Sequence, residues 1–143
     1  MKVTGRIVEN FTLDEMACRD GTLVLSPEAV DHAQRQQRLR EWLGFPYIPN
    51  SWYRSLEYNR TLKNSSDSSQ HILGLATDIP YPAKYFKFSK ERKKQFRDNI
   101  ANWWGADCHK SGIGGGIGFY EKDGFFHTDS GKRKVTELTR WEG

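Results

Sequence analysis

Two stretches of the chain carry the signals of long helices. Residues 26–43 begin with serine, proline and glutamate, which are residue types that open a helix, and Gly44 follows as a stop signal. The apolar residues between them form only a modest stripe, so we expect this helix to lie on the surface. Residues 89–104 begin with a capping serine and space their apolar residues like a helix with a buried face, and Gly105 would end it.

Shorter apolar runs and polar caps predict the elements around these helices. The predicted strands are residues 45–49, 76–79, 117–120, 125–129 and 135–138, and brief helices are predicted at residues 11–18 and 55–62. Prolines in the first of these strands would keep it at a sheet edge. Residues 121–124 carry the signal of a hairpin turn, which predicts antiparallel pairing of the strands on either side.

Length and composition are those of one globular domain. The chain has 143 residues, of which 28% are charged and 13% aromatic, and no apolar run approaches the length of a membrane span. The first residues lack the apolar core of a signal peptide, so we expect synthesis in the cytoplasm. Cys18 and Cys108 are too few for a disulfide framework, and we favour two free thiols over a pair.

The charge pattern adds little about function. The net charge is +4, and part of the basic excess lies in residues 84–97. A basic surface attracts polyanions, nucleic acid included, but it equally suits a solvated helix face. Residues 112–118 are rich in glycine, yet they lack the Gly-Lys-Ser/Thr of a phosphate-binding loop and lead into a predicted strand. No motif therefore supports nucleic-acid binding.

A polar segment that enters an apolar run holds two candidate metal ligands, His71 and Asp78. A continuous helix would separate them by about 10 Å and an extended chain by about 23 Å, so they can share a metal only if the chain folds back. Gly74 and Ala76 leave room for that fold. His127 is the best candidate for a third ligand, and three protein ligands with one open position are typical of catalytic zinc.

Residues 69–78 (SQHILGLATD), which include His71 and Asp78, read S-x-H-x-x-G-x-A-x-D. This pattern resembles the signature of the zinc D-Ala-D-Ala carboxypeptidases and related murein peptidases, which share a fold with the hedgehog signalling domain. Three more segments match in the same order: residues 11–18 (FTLDEMAC), 51–59 (SWYRSLEYN) and 118–129 (GFYEKDGFFHTD). The resemblance implies a single zinc peptidase-like domain over residues 1–143. Its fold would be α+β, with a small antiparallel sheet that carries the zinc site and helices that flank the sheet.

The resemblance also implies roles for individual residues. His71, Asp78 and His127 correspond to the zinc ligands. Arg54 corresponds to the arginine that binds substrate or polarises its carbonyl, a task suited to a planar guanidinium. Ser69 would hydrogen-bond substrate or support His71.

The general base is where the chain departs from the family pattern. Well-known members carry an acidic residue three positions before the last histidine, and this chain has Gly124 there. Asp129 and Asp123 are equal candidates for the base, with Glu121 behind them. Because Asp129 would share a strand face with His127, it could instead orient that ligand.

The activity implied by the resemblance is zinc-dependent hydrolysis of a peptide bond in the murein stem, either D-Ala-D-Ala or L-Ala-D-Glu. The missing acidic residue leaves an alternative open, a zinc-binding cell-wall or virion-associated recognition domain without catalysis. In both cases the partner is peptidoglycan, and we expect a monomer. Without a signal peptide, the protein would reach the wall by another route such as phage-mediated lysis. We expect His32, on the first long helix, and His109, in a predicted loop, to be structural.

Overall fold

The computed structural model describes residues 5–131 and 137–143. The helices are α1 (Leu13–Met16), α2 (Pro27–Leu43), α3 (Leu56–Arg60) and α4 (Lys90–Lys110), and the strands are β1 (Ala76–Pro80), β2 (Gly116–Tyr120), β3 (Phe125–Asp129) and β4 (Thr139–Glu142). Short 3₁₀ turns at Gln70–Leu73 and Ala83–Lys87 flank β1. Within these ranges, no helix combines the length and hydropathy that crossing a membrane requires.

The strands form one sheet in the order β1-β3-β2-β4. β3 pairs antiparallel with β1 and with β2, whereas β4 pairs parallel with β2. The predicted α+β class is confirmed, and the fourth strand makes the sheet mixed. Gly124 has a φ of 75° in the turn between β2 and β3, a conformation that glycine adopts without steric cost.

The last strand begins later than its apolar pattern predicts. The predicted strand at residues 135–138 includes Val135 and Thr136, which lie outside the described residues. Glu137 and Leu138 precede the strand, which starts at Thr139. β3 runs antiparallel to β2 and returns the chain to the end of the sheet where β2 starts, and there Thr139 pairs with Gly116, so β4 runs parallel to β2.

Helix α2 has the predicted ends but a different environment. The Ser26 hydroxyl accepts a hydrogen bond at the first turn, and Gly44 ends the helix with a φ of 72°. One face of α2 is exposed, as expected of a surface helix, but the opposite face buries His32, Arg35 and Gln36. Polar residues therefore occupy part of the buried face, which explains why the apolar stripe is weak.

Helix α4 continues past its predicted end. It runs through Gly105 to Lys110, so His109 lies in a helix and not in a loop. Gly105 packs against the side chain of Leu138, and a Cβ at this glycine would lie 3.4 Å from the Leu138 carbons. Packing thus overrides the local stop signal, and the backbone first turns left-handed at Gly112, where φ is 72°.

Residues 45–49 do not form the predicted edge strand. Their two prolines cannot donate to a strand ladder, and the extended contact comes just afterwards, where the Asp78 amide donates to the Ser51 carbonyl at 2.8 Å. The two predicted brief helices are present as α1 and α3. α1 has a complete capping box between Thr12 and Glu15.

The two faces of the sheet have different tasks. Residues of one face pack against α4 and α2 in the main core, whose buried members include Leu39, Ile79, Ile100, Trp104, Ile117, Phe119 and Phe126. Because strand residues alternate, Asp78, Gly118 and His127 lie on the opposite face. A second cluster (Phe11, Met16, Ala33 and Trp52) supports the segment that leads to Arg54.

Candidate metal centre

Three buried side chains converge on the face of the sheet away from the main core. Asp78 and His127 are direct cross-strand partners in β1 and β3. His71 comes from the 3₁₀ turn before β1, which Gly74 ends in the left-handed conformation with a φ of 72°. The predicted fold-back between the two first ligands therefore takes place at Gly74, where a Cβ would also lie 3.2 Å from the side chain of Ala29.

One carboxylate oxygen of Asp78 lies at the centre of this group. Asp78 Oδ1 is 3.3 Å from His71 Nε2 and 3.0 Å from His127 Nδ1. Each of the three residues offers a ligand atom within 4.8 Å of the other two, and each is at most 9% exposed. Two imidazoles and one carboxylate are a donor set that zinc favours, so the residues fit this metal.

Each histidine is held from behind through its second ring nitrogen. His71 Nδ1 lies 2.6 Å from the carbonyl oxygen of Trp52, which can only accept, so Nδ1 carries the hydrogen and Nε2 faces the centre with a lone pair. His127 Nε2 lies 2.8 Å from Asp129 Oδ2, which leaves Nδ1 towards the centre. Partners of this kind fix the tautomer and orientation of metal-binding histidines.

Arg54 holds the second oxygen of Asp78. Its Nη2 donates to Asp78 Oδ2 at 3.2 Å, and its Nε donates to the Ser51 hydroxyl at 2.9 Å. The guanidinium side chain is 19% exposed and lines the cavity beside the ligands. Arg54 therefore fixes a candidate ligand and also presents a cationic group to whatever enters the cavity.

The electrostatics of the group suit a cation. Burial favours the neutral carboxyl of Asp78, but His71 and His127 outweigh it and hold the pKa of Asp78 well below its usual range. Burial lowers the pKa of His71. Burial also opposes the charge on His127, yet its hydrogen bonds to Asp129 and Asp78 raise its pKa to about 9. With His71 neutral and Asp78 ionised, the lone pair of His71 Nε2 and the negatively charged oxygen Oδ1 of Asp78 face the same point.

The cavity in front of this group is a cleft of about 710 Å³. Its lining includes Arg54, Ser69, Asp123, Phe125 and Trp141 in addition to the three candidate ligands. A second cavity of about 560 Å³ adjoins it and shares four lining residues, Arg54, Leu62, Asp78 and Phe125. The cleft thus continues on both sides of Arg54.

The two candidate bases lie in different places. Asp123 is exposed at the hairpin and lines the cleft. Asp129 is fully buried, and while its Oδ2 lies against His127 its Oδ1 accepts from the Gly131 amide at 3.1 Å. Ser69 lines the cleft, and its hydroxyl accepts from the His71 amide at 3.3 Å, so it supports the turn that carries this ligand.

Three residues near the site, His32, Trp52 and Trp141, were not predicted from the sequence to be part of it. His32 is buried away from the ligand group, with its ring nitrogens 2.6 Å from the Ser130 hydroxyl and 2.9 Å from the Thr77 hydroxyl. The role of the Trp52 carbonyl could not be read from the sequence, because every residue has a main-chain carbonyl. Trp141 was missed because the predicted last strand ended at residue 138, whereas β4 spans Thr139–Glu142. Its partner Gly118 does lie in the segment 118–129 that resembles the family.

Comparisons with known proteins locate the family. Neither the search of curated proteins nor that of solved structures finds a significant match. The model of the family described as Peptidase M15 matches residues 9–129. The matched segment contains Arg54, the three converging side chains and Asp129. The match covers most of the chain, and the protein therefore belongs to the M15 peptidase family.

Proposed function

We propose that this protein hydrolyses a peptide bond in the stem peptide of peptidoglycan, with zinc held by His71, Asp78 and His127. The observation that carries the proposal is that every candidate ligand has its own supporting partner. These partners are the Trp52 carbonyl, Arg54 and Asp129. Zinc held there would supply an activated water and polarise the scissile carbonyl.

We assign the general base to Asp123 and ligand positioning to Asp129. Both oxygens of Asp129 accept hydrogen bonds within the protein, and the residue is fully buried, so it has no path to a water in the cleft. Asp123 lines the cleft and is exposed, so its carboxylate is free to accept a proton there. It would take over the task of the acidic residue that Gly124 replaces.

Arg54 would bind the substrate beside the scissile bond. Its guanidinium is anchored by Asp78 and Ser51, so it is already oriented when a peptide enters. A fixed cationic donor stabilises the negative charge that develops on a carbonyl oxygen during attack. Ser69 contributes by holding the His71 turn and by offering a hydroxyl at the edge of the cleft.

The shape of the cleft favours an internal bond. The two adjoining cavities leave room for peptide on both sides of Arg54. A carboxypeptidase acting on D-Ala-D-Ala needs room for only one residue beyond the cut, whereas an L-Ala-D-Glu endopeptidase must accommodate chain on both sides. Of the two bonds we therefore place L-Ala-D-Glu first. The enzyme would act as a monomer at the cell wall, and phage-mediated lysis is one route by which it could reach that compartment.

Mass spectrometry of digested murein tests the proposal. The purified protein is incubated with murein in the presence and absence of a chelator, beside a His127→Ala variant. New stem-peptide fragments that disappear with the chelator and in the variant would support a zinc peptidase, and their masses identify the bond. A Trp42→Phe variant, changed at an exposed residue of α2, serves as the matched control and should digest murein like the wild type.

A second candidate is a zinc-binding wall-recognition domain without catalysis. The observation in its favour is Gly124, which stands where well-known members carry an acidic residue. Stoichiometric zinc together with murein binding, but no new fragment from several murein types, would contradict the peptidase and establish this alternative.

A further inference from the structure

One row of residues crosses the whole sheet at the level of the candidate ligands. Asp78 in β1 pairs with His127 in β3, His127 pairs with Gly118 in β2, and Gly118 pairs with Trp141 in β4. Members of such a row lie on the same face of the sheet. The position between His127 and Trp141 therefore has no side chain, which leaves an open space beside the ligand.

The indole of Trp141 fills that space. A Cβ added at Gly118 would lie 2.3 Å from the Trp141 ring, far closer than atoms pack, so the indole lies directly over this glycine. Its ring centre is 5.4 Å from that of His127. Gly118 has no left-handed φ, so the reason for glycine here is the close approach of the indole and not the backbone conformation.

Two further aromatic rings continue from Trp141 along the cleft. Trp141 Nε1 donates to the Tyr120 hydroxyl at 2.8 Å, and Tyr120 stacks on Phe125 with ring centres 4.8 Å apart. All three side chains are partly exposed and line the cleft. We call Trp141, Tyr120 and Phe125 the aromatic wall.

Apart from Leu62, the rest of the cleft lining is polar. It includes Asn59, Lys63, Asn64, Ser66 and Ser68, in addition to Arg54. A cleft with one aromatic side and one polar, cationic side suits a peptide with a small apolar side chain on one edge and carboxylates on the other. Stem peptides have this character, since they contain alanine methyl groups together with the carboxylate of D-Glu.

We propose that Trp141 determines substrate binding by packing against the alanine methyl group next to the scissile bond. This inference rests on the proposed function. Trp141 lies beyond residues 9–129, the segment that matches the family, so the contact comes from the C-terminal strand. Its packing against His127 places the bound alanine beside the ligand group.

Two variants remove the contact in different ways. Trp141→Ala deletes the indole, and Gly118→Ala displaces it while the tryptophan stays in the chain. Losing one central aromatic contact should raise KM about tenfold, which is typical when an anchor residue is truncated. kcat and zinc affinity should stay close to wild type in both variants. Trp42→Ala, at an exposed tryptophan of α2 that does not line the cleft, is the matched control and should leave KM unchanged.

A binding measurement separates this inference from the proposed function. Titration of the zinc-free protein with isolated stem pentapeptide should give a Kd that Trp141→Ala weakens by the same factor as KM. If the wild type digests murein but KM and Kd are unchanged in both variants, the inference is wrong. It is also wrong if the variants lose zinc or kcat with KM unchanged, because Trp141 would then act only by supporting His127. If the wild type binds pentapeptide through Trp141 but cuts nothing, the proposed hydrolysis fails and the binding role stands.

Discussion

Replacing Asp129 by asparagine tests whether this carboxylate holds His127 or accepts a proton during catalysis. Among the described residues, its two oxygens accept from His127 Nε2 at 2.8 Å and from the Gly131 amide at 3.1 Å. Asparagine has one oxygen for these two donors, so one of them must lose its acceptor. Because the site is fully buried, water cannot replace the lost partner.

Loss of the Asp129 carboxylate should therefore weaken zinc binding and not the chemical step. Removing the partner of a metal-binding histidine reduces metal affinity by about 10- to 100-fold. This corresponds to about 1.4 to 2.7 kcal/mol of binding free energy. At saturating zinc, the Asp129→Asn enzyme should keep a kcat close to that of the wild type.

A zinc titration against a chromogenic chelator at pH 7, followed by rates at saturating zinc, measures both quantities. Asp123→Asn is the matched control, since it also exchanges a carboxylate for an amide. It should leave zinc affinity unchanged and lower kcat, by about 10²- to 10⁴-fold if this group is the base. If Asp129→Asn binds zinc like the wild type but has lost turnover at full loading, Asp129 takes the proton, and the positioning role is refuted.

Three further predictions concern stability, reactivity and substrate binding. Burial lowers the pKa of His32 to about 3. The unfolded chain therefore binds the additional proton first, and stability should fall by about 1.4 kcal/mol per pH unit as the pH drops from 6.5 towards 3. Urea unfolding at pH 7 and pH 5 should show a smaller loss for His32→Gln, and equal losses would contradict this. Cys18 and Cys108 are buried free thiols, and burial raises the pKa of Cys108 to about 12. An aromatic disulfide reagent should therefore label neither thiol in the native protein and both thiols in guanidinium. Rapid labelling of native Cys108 would contradict its burial. Arg54→Lys keeps the charge but loses the planar guanidinium that contacts Asp78 and Ser51, so kcat/KM should fall about tenfold or more while zinc stays bound. Zinc analysis and murein digestion kinetics would check both quantities.

The sequence was most informative where chemistry demands particular residue types. His71, Asp78 and His127 could be found as candidate ligands because zinc favours imidazoles and carboxylates, and because their segments keep the spacing of a known family. The fold-back at Gly74 followed from reach alone, since neither a helix nor a strand could bring the first two together. The caps of α2 were equally readable, because Ser26 and Gly44 act locally.

The sequence was least informative where tertiary packing decides the outcome. The end of α4 was missed because Leu138, distant in sequence, packs on Gly105 within the helix. The surroundings of His32 were missed because its two hydroxyl partners come from the sheet region and not from α2. β4 could not be assigned a parallel partner from its own residues, and with it Trp141 was left out of the site.

The hydrogen-bond acceptors behind the two candidate histidine ligands differ in how easily a mutation can remove them. The acceptor behind His71 is a main-chain carbonyl, which no codon change at position 52 can delete. The acceptor behind His127 is one carboxylate, and a single base change in the Asp129 codon removes it. Random mutagenesis followed by a lysis screen at limiting zinc should therefore return soluble clones of reduced activity with changes at Asp129. Changes at Trp52, whose side chain is buried in the second cluster, should instead surface as poorly expressed protein.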